Sequence, residues 1–175
     1  MKTIVAVDQN WGIGFKGNLL IRLSGDMKFF RERTLGKTIV VGRETLESFP
    51  GGRALSDRTT VCLTRNRDFK ADCVTVYSLE DCLDFLGRFS TDNIFIAGGE
   101  SIYRQFLPFC NVCLVTRIGG EFKADRYFID LDEHEDFELA RSGETCVENG
   151  VEYRFTEYRR VSGDNNRQKS GKGSV

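Results

Sequence analysis

The chain has 175 residues, of which 40% are hydrophobic and 29% are charged, a balance typical of one ordinary globular domain. Its 25 basic and 26 acidic residues give a net charge of -1, so it lacks the basic excess with which proteins hold nucleic-acid phosphates. No apolar run approaches the roughly 18 residues of a membrane helix, and the N-terminal segment reaches Asp8 too early for a signal peptide. We therefore expect a cytoplasmic protein that binds neither nucleic acid nor membranes.

Strand-like and helix-like segments alternate along the N-terminal half. Apolar, β-branched runs predict strands at 2–7, 38–42, 59–64, 73–77, 93–97, 112–118, near 135–141, and at 151–160. Helices are predicted at 25–34, 43–48, 79–87 and 100–107, with Ser24 and Ser78 as N-cap residues of the first and the third. Between the first strand and the first helix, the glycine-rich stretch 11–17 is too long for a tight turn.

The order of these segments predicts the fold class. Strands separated by helices of about ten residues imply a parallel α/β sheet with right-handed crossovers. The last third of the chain is poor in helices, which suggests antiparallel strands added at one edge. Residues 161–175 are rich in Gly, Ser, Asn and Lys, so we expect a folded domain over 1–160 and a disordered tail after it.

The six cysteines are scattered and lie mostly in apolar segments: Cys62, Cys73, Cys82, Cys110, Cys113 and Cys146. Disulfide frameworks are expected in shorter, secreted chains. The one suggestive spacing, Cys110 to Cys113, has no second pair and no clustered histidine beside it. We therefore expect reduced core thiols and no metal site.

Glycine, hydroxyl and guanidinium groups follow three of the predicted strands. They are Gly42-Arg43-Glu44-Thr45, Thr64-Arg65 and Gly98-Gly99-Glu100-Ser101. Ligands of parallel α/β sheets bind beyond the carboxyl ends of the strands, where glycine admits close approach and arginine or a helix N-terminus attracts phosphate. Each feature alone is common on protein surfaces. Together they indicate a groove for a dinucleotide-like ligand, although the GxGxxG fingerprint of an ordinary Rossmann domain is absent.

Asp26 is the candidate acid–base group. It lies in the first turn of the first predicted helix, with Phe29 and Phe30 at the i+3 and i+4 positions. Two phenyl rings would desolvate the carboxylate and raise its pKa, whereas the alternative is an Asp that only complements the helix dipole. The single histidine, His134, lies in an acidic run that we interpret as a solvated face. The sequence contains no nucleophile elbow, HExxH or P-loop motif, which disfavours hydrolases and kinases. The enzyme class that remains is a redox enzyme that uses a cofactor and one buried carboxylate.

Four motifs carry a family resemblance: Ala6-Val7-Asp8 with Gly12-Ile13-Gly14, Leu23-Ser24-Gly25-Asp26-Met27-Lys28-Phe29-Phe30, Val41-Gly42-Arg43-Glu44-Thr45-Leu46-Glu47-Ser48, and Ala97-Gly98-Gly99-Glu100-Ser101-Ile102-Tyr103. In this order and spacing they closely resemble the dihydrofolate reductase family over residues 2 to about 160. The resemblance implies an α/β domain with a mixed, mainly parallel sheet of eight strands and four flanking helices. It also implies a monomeric enzyme that reduces 7,8-dihydrofolate to tetrahydrofolate with NADPH, supports one-carbon metabolism and thymidylate synthesis, and binds antifolates.

The resemblance assigns substrate-binding and catalytic positions. Asp26 matches the single carboxylate of the pterin pocket, which promotes protonation of N5 while a hydride passes to C6. Thr116 matches a threonine that holds this carboxylate, and Tyr103 matches a tyrosine near the nicotinamide and the pterin. Arg58 matches the arginine that pairs with the α-carboxylate of the glutamate tail. The other positions that match substrate contacts are Ile4, Val5, Met27, Phe30, Phe49 and Ala97.

The resemblance also assigns cofactor positions. Residues 9–23 match a mobile loop that closes over the nicotinamide. Around the pyrophosphate and the 2′-phosphate, the matching positions are Arg43, Thr45, Thr64 and Arg65, whose two guanidinium groups favour NADPH over NADH. Gly98 and Gly99 match a pair joined by a cis peptide bond. The remaining cofactor positions are Ala6, Ile13, Gly14, Asn18, Leu19, Gly42, Glu44, Leu63, Ala97, Glu100, Ser101, Ile102 and Tyr103.

Several positions depart from the family pattern. Ile21 stands where the family has a tryptophan, and isoleucine can pack there but cannot donate a hydrogen bond. Ala97 stands where isoleucine or valine usually lines the pocket, while Leu20 and Ser24 replace residues that are often proline. From Ile21 and Ala97 we expect an active enzyme that binds diaminopyrimidine antifolates weakly. Trp11 is expected to pack rather than to contact ligand.

Two other functions stay open at the level of sequence. A pyrimidine reductase of riboflavin synthesis shares the fold and the NADPH site, but a ribose-phosphate pocket is expected there instead of Arg58. Asp26 with its two phenylalanines also argues against that activity. A folate- or nucleotide-binding protein that has lost catalysis is suggested by Ile21, and it would bind ligand tightly with negligible turnover.

Overall fold

The computed structural model describes residues 1–161, and its main elements follow the predicted order within two residues at each end. Within that range the strands are β1 (Lys2–Val7), β2 (Gly12–Phe15), β3 (Asn18–Leu19), β4 (Thr38–Gly42), β5 (Thr59–Leu63), β6 (Val74–Val76), β7 (Ile94–Ile96), β8 (Val112–Ile118), β9 (Arg126–Tyr127), β10 (Phe137–Ser142), β11 (Cys146–Glu148) and β12 (Val151–Arg160). The α-helices are α1 (Ser24–Thr34), α2 (Arg43–Ser48), α3 (Leu79–Leu86) and α4 (Glu100–Phe106). The predicted disordered tail lies outside the described residues, except for Val161.

Eight strands form one mixed sheet in the order β10-β12-β8-β1-β7-β4-β5-β6, and β11 pairs with the start of β12. The neighbours from β8 to β6 run parallel, while β12 is antiparallel to both β8 and β10. The predicted parallel sheet with antiparallel strands at one edge is therefore confirmed. Because their directions agree, the carboxyl ends of β1, β4, β5 and β7 meet at one edge of the sheet.

The apolar residues of the central strands divide between the two faces of the sheet. In β1, Ile4 packs with Ile39 and Leu114 in one cluster, whereas Val5 and Val7 belong to a larger one. Successive side chains of a strand point to opposite faces, so a strand covered on both sides must be apolar throughout. This explains why β1 and β4 read as continuous apolar runs.

The segment between β1 and α1 contains more regular structure than predicted. β2 and β3 form a hairpin, and β9 pairs with the other side of β2. The turn is Lys16–Gly17, with φ values of 50° and 78°, a two-residue geometry that matches the twist of paired strands. The stretch 11–17 is longer than a tight turn, as predicted, but a two-residue turn lies inside it, between β2 and β3.

Of the two predicted helix caps, one is confirmed. The Ser78 hydroxyl accepts a hydrogen bond from the Asp81 amide at 3.0 Å, at the start of α3. The Ser24 cap is wrong, because Ser24 is the first residue of α1 and Leu23, at the cap position, offers no side-chain acceptor. The Ser24 and Gly25 amides at the start of α1 donate instead to the carboxylate of Glu148, near the other end of the chain.

The packing roles expected for Trp11 and the cysteines agree with the structure. The Trp11 ring is buried, with its centroid 6.2 Å from that of Phe128 and 6.0 Å from that of Tyr158. All six thiols are free, and Cys62, Cys82, Cys110 and Cys113 are buried. Among residues 1–161, no helix is both long and apolar enough to cross a membrane.

Candidate active site

Asp26 lies in the first turn of α1 and is half-buried. Burial raises its pKa above the ordinary value of 3.8, and a hydrogen bond with the Thr116 hydroxyl acts in the opposite direction. Thr116 is buried and pairs with Ala6 across β8 and β1, so the carboxyl group is tied to the middle of the sheet. A carboxyl group with a raised pKa holds a proton closer to neutral pH, which suits acid–base chemistry.

Tyr103 places a third polar group beside Asp26 and Thr116. It lies on α4, is buried, and its hydroxyl donates to the Ile4 carbonyl oxygen at 2.8 Å. Burial raises the pKa of Tyr103 strongly, and the negative charge of Asp26 raises it further. The phenol therefore stays neutral and remains a hydrogen-bond donor. The three predicted catalytic residues, Asp26, Thr116 and Tyr103, are thus neighbours in the fold.

The apolar positions that match substrate contacts are only partly brought together. Ile4 forms one cluster with the half-buried residues Phe30, Phe49 and Ala97, beside Asp26 on the same face of the sheet. Phe29 belongs to that cluster too, but its ring stacks on Phe155 with centroids 4.3 Å apart.

Two predicted wall residues lie elsewhere. The side chain of Val5 packs in the opposite cluster, because it follows Ile4 along β1. Met27 leaves 44% of its surface exposed on α1, so it reaches no enclosed wall in this structure.

Arg58 lies beside the far end of α1. Its Nε donates to the Thr34 hydroxyl at 2.8 Å and its Nη1 donates to the Ser56 carbonyl at 2.7 Å. The guanidinium carbon is 6.0 Å from the centre of the Phe30 ring, which belongs to the apolar cluster. The arginine is therefore fixed next to the pocket wall, at a distance along α1 from Asp26.

The carboxyl ends of β4 and β7 meet through glycines, as predicted. The Gly42 amide donates to the Gly98 carbonyl at 2.7 Å, and the Gly98–Gly99 peptide bond is cis. A Cβ atom added to Gly98 would lie 3.4 Å from both the Thr45 and the Tyr103 hydroxyl oxygens. Gly98 also has a φ of 120°, a conformation that side chains rarely adopt. The backbone therefore passes closely over Thr45 and leaves its surface open to a ligand.

The predicted phosphate-binding side chains line the neighbouring strand ends. Gly42 and Leu63 are register partners, so Arg43, Thr64 and Arg65 follow adjacent strands on one edge. The Thr64 hydroxyl accepts from the Asn66 amide at 3.2 Å, and Arg65 is exposed. The Arg43 guanidinium forms an ion pair with Glu47 at 2.9 Å, an exposed contact worth little to stability.

Other cofactor positions have structural partners of their own. The Glu44 carboxylate lies 3.9 Å from Arg126, and Glu100 pairs with Arg104 at 3.1 Å. Glu100 also accepts a hydrogen bond from the Tyr127 amide at 3.3 Å, which ties α4 to β9. Of the remaining positions, Leu63, Ile102 and Gly14 are buried, whereas Ser101, Asn18 and Leu19 are exposed. Ala6 and Ile13 are half-buried.

Two carboxylates that the sequence reasoning missed hold the segment 9–23. Asp8 is fully buried and accepts from the amides of Asn10 at 2.9 Å, Gly12 at 2.8 Å and Phe122 at 2.9 Å. Asp125 accepts from the Lys16 amide at 3.0 Å. The position of Asp8, directly after β1 and shortly before the glycine-rich stretch 11–17, was the available signal. Asp125 had none, because its partner lies 109 positions away.

The similarity to known proteins covers almost the whole chain. The sequence profile of the family described as "Dihydrofolate reductase" matches residues 1–160. The dihydrofolate reductase of Staphylococcus haemolyticus is 34% identical over 161 residues, which are 90% of this chain and 94% of that protein. For the Bacillus subtilis enzyme the identity is 33%, over 89% and 91% of the two chains.

A solved structure agrees with these sequence matches. The dihydrofolate reductase of Enterococcus faecalis, complexed with NADP(H) and RAB-propyl, superposes with a TM-score of 0.82 at 30% identity. The match covers 92% of this chain and 96% of the other. Sequence and fold therefore agree over the same residues that bring Asp26, Thr116 and Tyr103 together. The chain belongs to the dihydrofolate reductase family.

Proposed function

We propose that the protein reduces 7,8-dihydrofolate to 5,6,7,8-tetrahydrofolate with NADPH, and that Asp26 is the carboxyl group of its pterin pocket. The observation that carries this proposal is the half-buried Asp26 on α1, beside the buried Thr116 and an apolar wall, in surroundings that raise its pKa through burial. Family membership and the NADP(H) complex of the Enterococcus faecalis relative support it. The product would serve one-carbon metabolism and thymidylate synthesis in the cytoplasm.

On the pterin side, Asp26 would accept hydrogen bonds from the amino group and a ring nitrogen of the substrate. Its raised pKa lets it share a proton with the ring, which promotes protonation of N5 and makes C6 more electrophilic. Thr116 would hold the carboxyl group in the orientation that the ring requires. Ile4, Phe30, Phe49 and Ala97 would pack against the two faces of the ring and exclude water.

At the outer end of the pocket, Arg58 would bind the α-carboxylate of the glutamate tail. Two of its nitrogens are already used to fix the side chain, on Thr34 and Ser56. A planar guanidinium held in this way presents its free edge in a set direction. We expect Arg58→Ala to raise the KM for dihydrofolate much more than it lowers kcat.

The residues at the strand ends fit NADPH. Bare glycine backbone over Thr45 leaves room for a close approach, and the set Arg43, Thr45, Thr64 and Arg65 offers two guanidinium and two hydroxyl groups to phosphates. When bound, NADPH supplies a hydride from nicotinamide C4 to C6 of the pterin. To engage a phosphate, Arg43 would leave its exposed ion pair with Glu47, which costs little.

Ile21 and Ala97 stand where the resemblance leads us to expect a tryptophan and an isoleucine or valine. Ile21 packs in an apolar cluster with Leu23, Ile118 and Tyr153, and it offers no N–H to a water or ligand. Ala97 leaves the wall smaller than isoleucine would, at about 0.8 kcal/mol for each methylene lost from a contact. We propose that both weaken diaminopyrimidine antifolates. Inhibitor titrations with Ala97→Ile and Ile21→Trp test this, and unchanged affinity in both would refute it.

The main experiment follows NADPH oxidation with dihydrofolate for the wild type, Asp26→Asn and Asp84→Asn. Asp84 is an exposed aspartate on α3, which contributes no site residue, so it controls for the loss of one carboxylate. We expect wild-type turnover, an unchanged Asp84→Asn, and a loss of about a hundredfold or more in Asp26→Asn at neutral pH. Bound NADPH without turnover in the wild type would favour a pyrimidine reductase or a binding protein instead.

A further inference from the structure

The first turn of α1, which carries Asp26, is held by a residue from the far end of the chain. The Ser24 amide donates to one carboxylate oxygen of Glu148 at 2.7 Å, and the Gly25 amide donates to the other at 3.1 Å. These are two of the amides at a helix start that have no partner inside the helix. Leu23 cannot cap them, so Glu148 takes the place of a local cap.

A second contact, from β12, fixes the same turn of α1; β12 pairs with β11, whose last residue is Glu148. Tyr153 is buried on β12, and a Cβ atom added to Gly25 would lie 1.9 Å from its hydroxyl oxygen. The backbone of α1 therefore rests directly on the phenol. Glu148 and Tyr153 belong to one rigid unit, because β11 pairs with β12 through a tight turn at Asn149–Gly150 with φ values of 53° and 78°.

We infer that Glu148 is a positioning residue for Asp26: by holding the Ser24 and Gly25 amides, it sets where the catalytic carboxyl group stands. Asp26 is the next residue along the helix, and its side-chain position follows from that of the turn. The inference rests on the proposed function, since it assigns Glu148 a part in the same reaction. A displacement of one ångström at a reacting group is enough to slow an enzyme substantially.

The charges around the turn fit this arrangement. Hydrogen bonds from the Ser24 and Gly25 amides lower the pKa of Glu148, so it stays ionised and complements the positive end of the helix. The groups that face Asp26 from other elements are Thr116 on β8, Tyr103 on α4 and Tyr153 on β12. Among these groups none carries a positive charge, so burial dominates the pKa of Asp26.

The test compares Glu148→Ala and Glu148→Gln with Glu144→Gln, a matched control. Glu144 is an exposed glutamate between β10 and β11, and it has no hydrogen bond or ion pair among the described residues. Two quantities are measured: kcat/KM for dihydrofolate against pH, and the pKa of Asp26 by carboxyl-carbon NMR of the ligand-free protein. Asp26→Asn identifies the NMR signal.

We expect Glu148→Ala to lower kcat/KM about tenfold. We also expect the pKa of Asp26 to fall, because a looser first turn admits water to the carboxylate. The limb of the pH profile that reports the Asp26 proton should move to lower pH with it. Glu148→Gln keeps one acceptor oxygen and should lie between Glu148→Ala and the wild type, while Glu144→Gln should match the wild type.

A lower melting temperature in Glu148→Ala, with unchanged kcat/KM and an unchanged Asp26 pKa, would overturn the inference, because Glu148 would then only stabilise the fold. An inactive wild type in which the Asp26 pKa still responds to Glu148→Ala would leave the positional coupling standing and overturn the proposed function. Failure of one is therefore distinguishable from failure of the other.

Discussion

Two carboxylates hold the two ends of the segment between β1 and α1, and they do so in opposite surroundings. Asp8, at the start, is fully buried and accepts three backbone amides from Asn10, Gly12 and Phe122. Glu148, at the end, is only half-buried and accepts two, from Ser24 and Gly25. The same chemical group therefore fixes both ends of a segment that is expected to cover the nicotinamide.

The two carboxylates differ in how much their hydrogen bonds contribute to the stability of the fold. Buried amides that lose their acceptor have no water to replace it, so a buried carboxylate determines stability. At the surface, water competes for the same amides and salt screens the charge, so the carboxylate mainly determines position. We therefore expect changes at Asp8 to appear mainly in unfolding experiments, and changes at Glu148 to appear mainly in catalysis.

The largest effect on stability is expected at Asp8. Replacing it with alanine leaves three amides without an acceptor, of which the Gly12 amide is buried and the other two are partly buried. An unsatisfied buried group costs about 1–3 kcal/mol, and a partly buried one costs less because water can replace the acceptor. Partial relaxation brings the expected loss to about 3 kcal/mol in the free energy of unfolding, measured with urea. Asp8→Asn keeps one acceptor oxygen and should lose less. Equal stability of Asp8→Ala and wild type would contradict the interpretation.

Gly25→Ala should have the next largest effect. Its added methyl group would overlap the Tyr153 hydroxyl, and such overpacking costs about 1–3 kcal/mol. Tyr153→Phe removes the hydroxyl and should restore part of the loss in the double variant. A double-mutant cycle by urea denaturation measures this coupling, and strictly additive losses would show that the two residues do not meet.

A smaller effect is expected in the middle of the segment. Asp125 accepts from the Lys16 amide at 3.0 Å, but the contact is exposed. Asp125→Asn should therefore lower the free energy of unfolding by about 0.5 kcal/mol or less. A loss of unfolding free energy as large as that of Asp8→Ala would mean that burial does not explain the difference between Asp8 and Asp125.

The pH dependence of the free energy of unfolding should differ between the wild type and Glu148→Gln. Its folded pKa is lower than the ordinary 4.5, so its contribution is present above that value and is lost as the pH falls through the lowered pKa. In Glu148→Gln this acid-limb loss should be absent. Unfolding free energies measured from neutral to acidic pH check the sign, and identical curves for the two proteins would contradict it.

The sheet could be predicted because its information is local. Continuous apolar runs such as residues 38–42 fit a strand covered on both faces and little else. Asp26 stood out for a similar reason, since aromatic residues follow it at helical spacing. The parts that were wrong or missed depend on distant residues: the true partner of the Ser24 amide is 124 positions away. A serine near the start of a helix says nothing about an acceptor that comes from a distant part of the chain.

The apolar pocket wall shows a second limit on what can be predicted from the sequence. Ile4 and Val5 are both apolar and both buried, yet only Ile4 reaches the cluster beside Asp26. Which of two neighbours faces the pocket depends on which face of the sheet α1 covers, and local sequence does not encode that choice. The same reasoning applies to Met27, whose helical position places it toward solvent.

The place of the β11–β12 hairpin in the chain has a consequence for biosynthesis. The ribosome makes Asp26 early, but Glu148 and Tyr153, which hold its turn, emerge more than a hundred residues later. β1 likewise waits for β8, its parallel neighbour in the centre of the sheet. A nascent chain that stops before the hairpin therefore contains every pocket residue named above and still lacks the contact that fixes its carboxyl group. Activity should arise late in synthesis, when the last strands close the sheet.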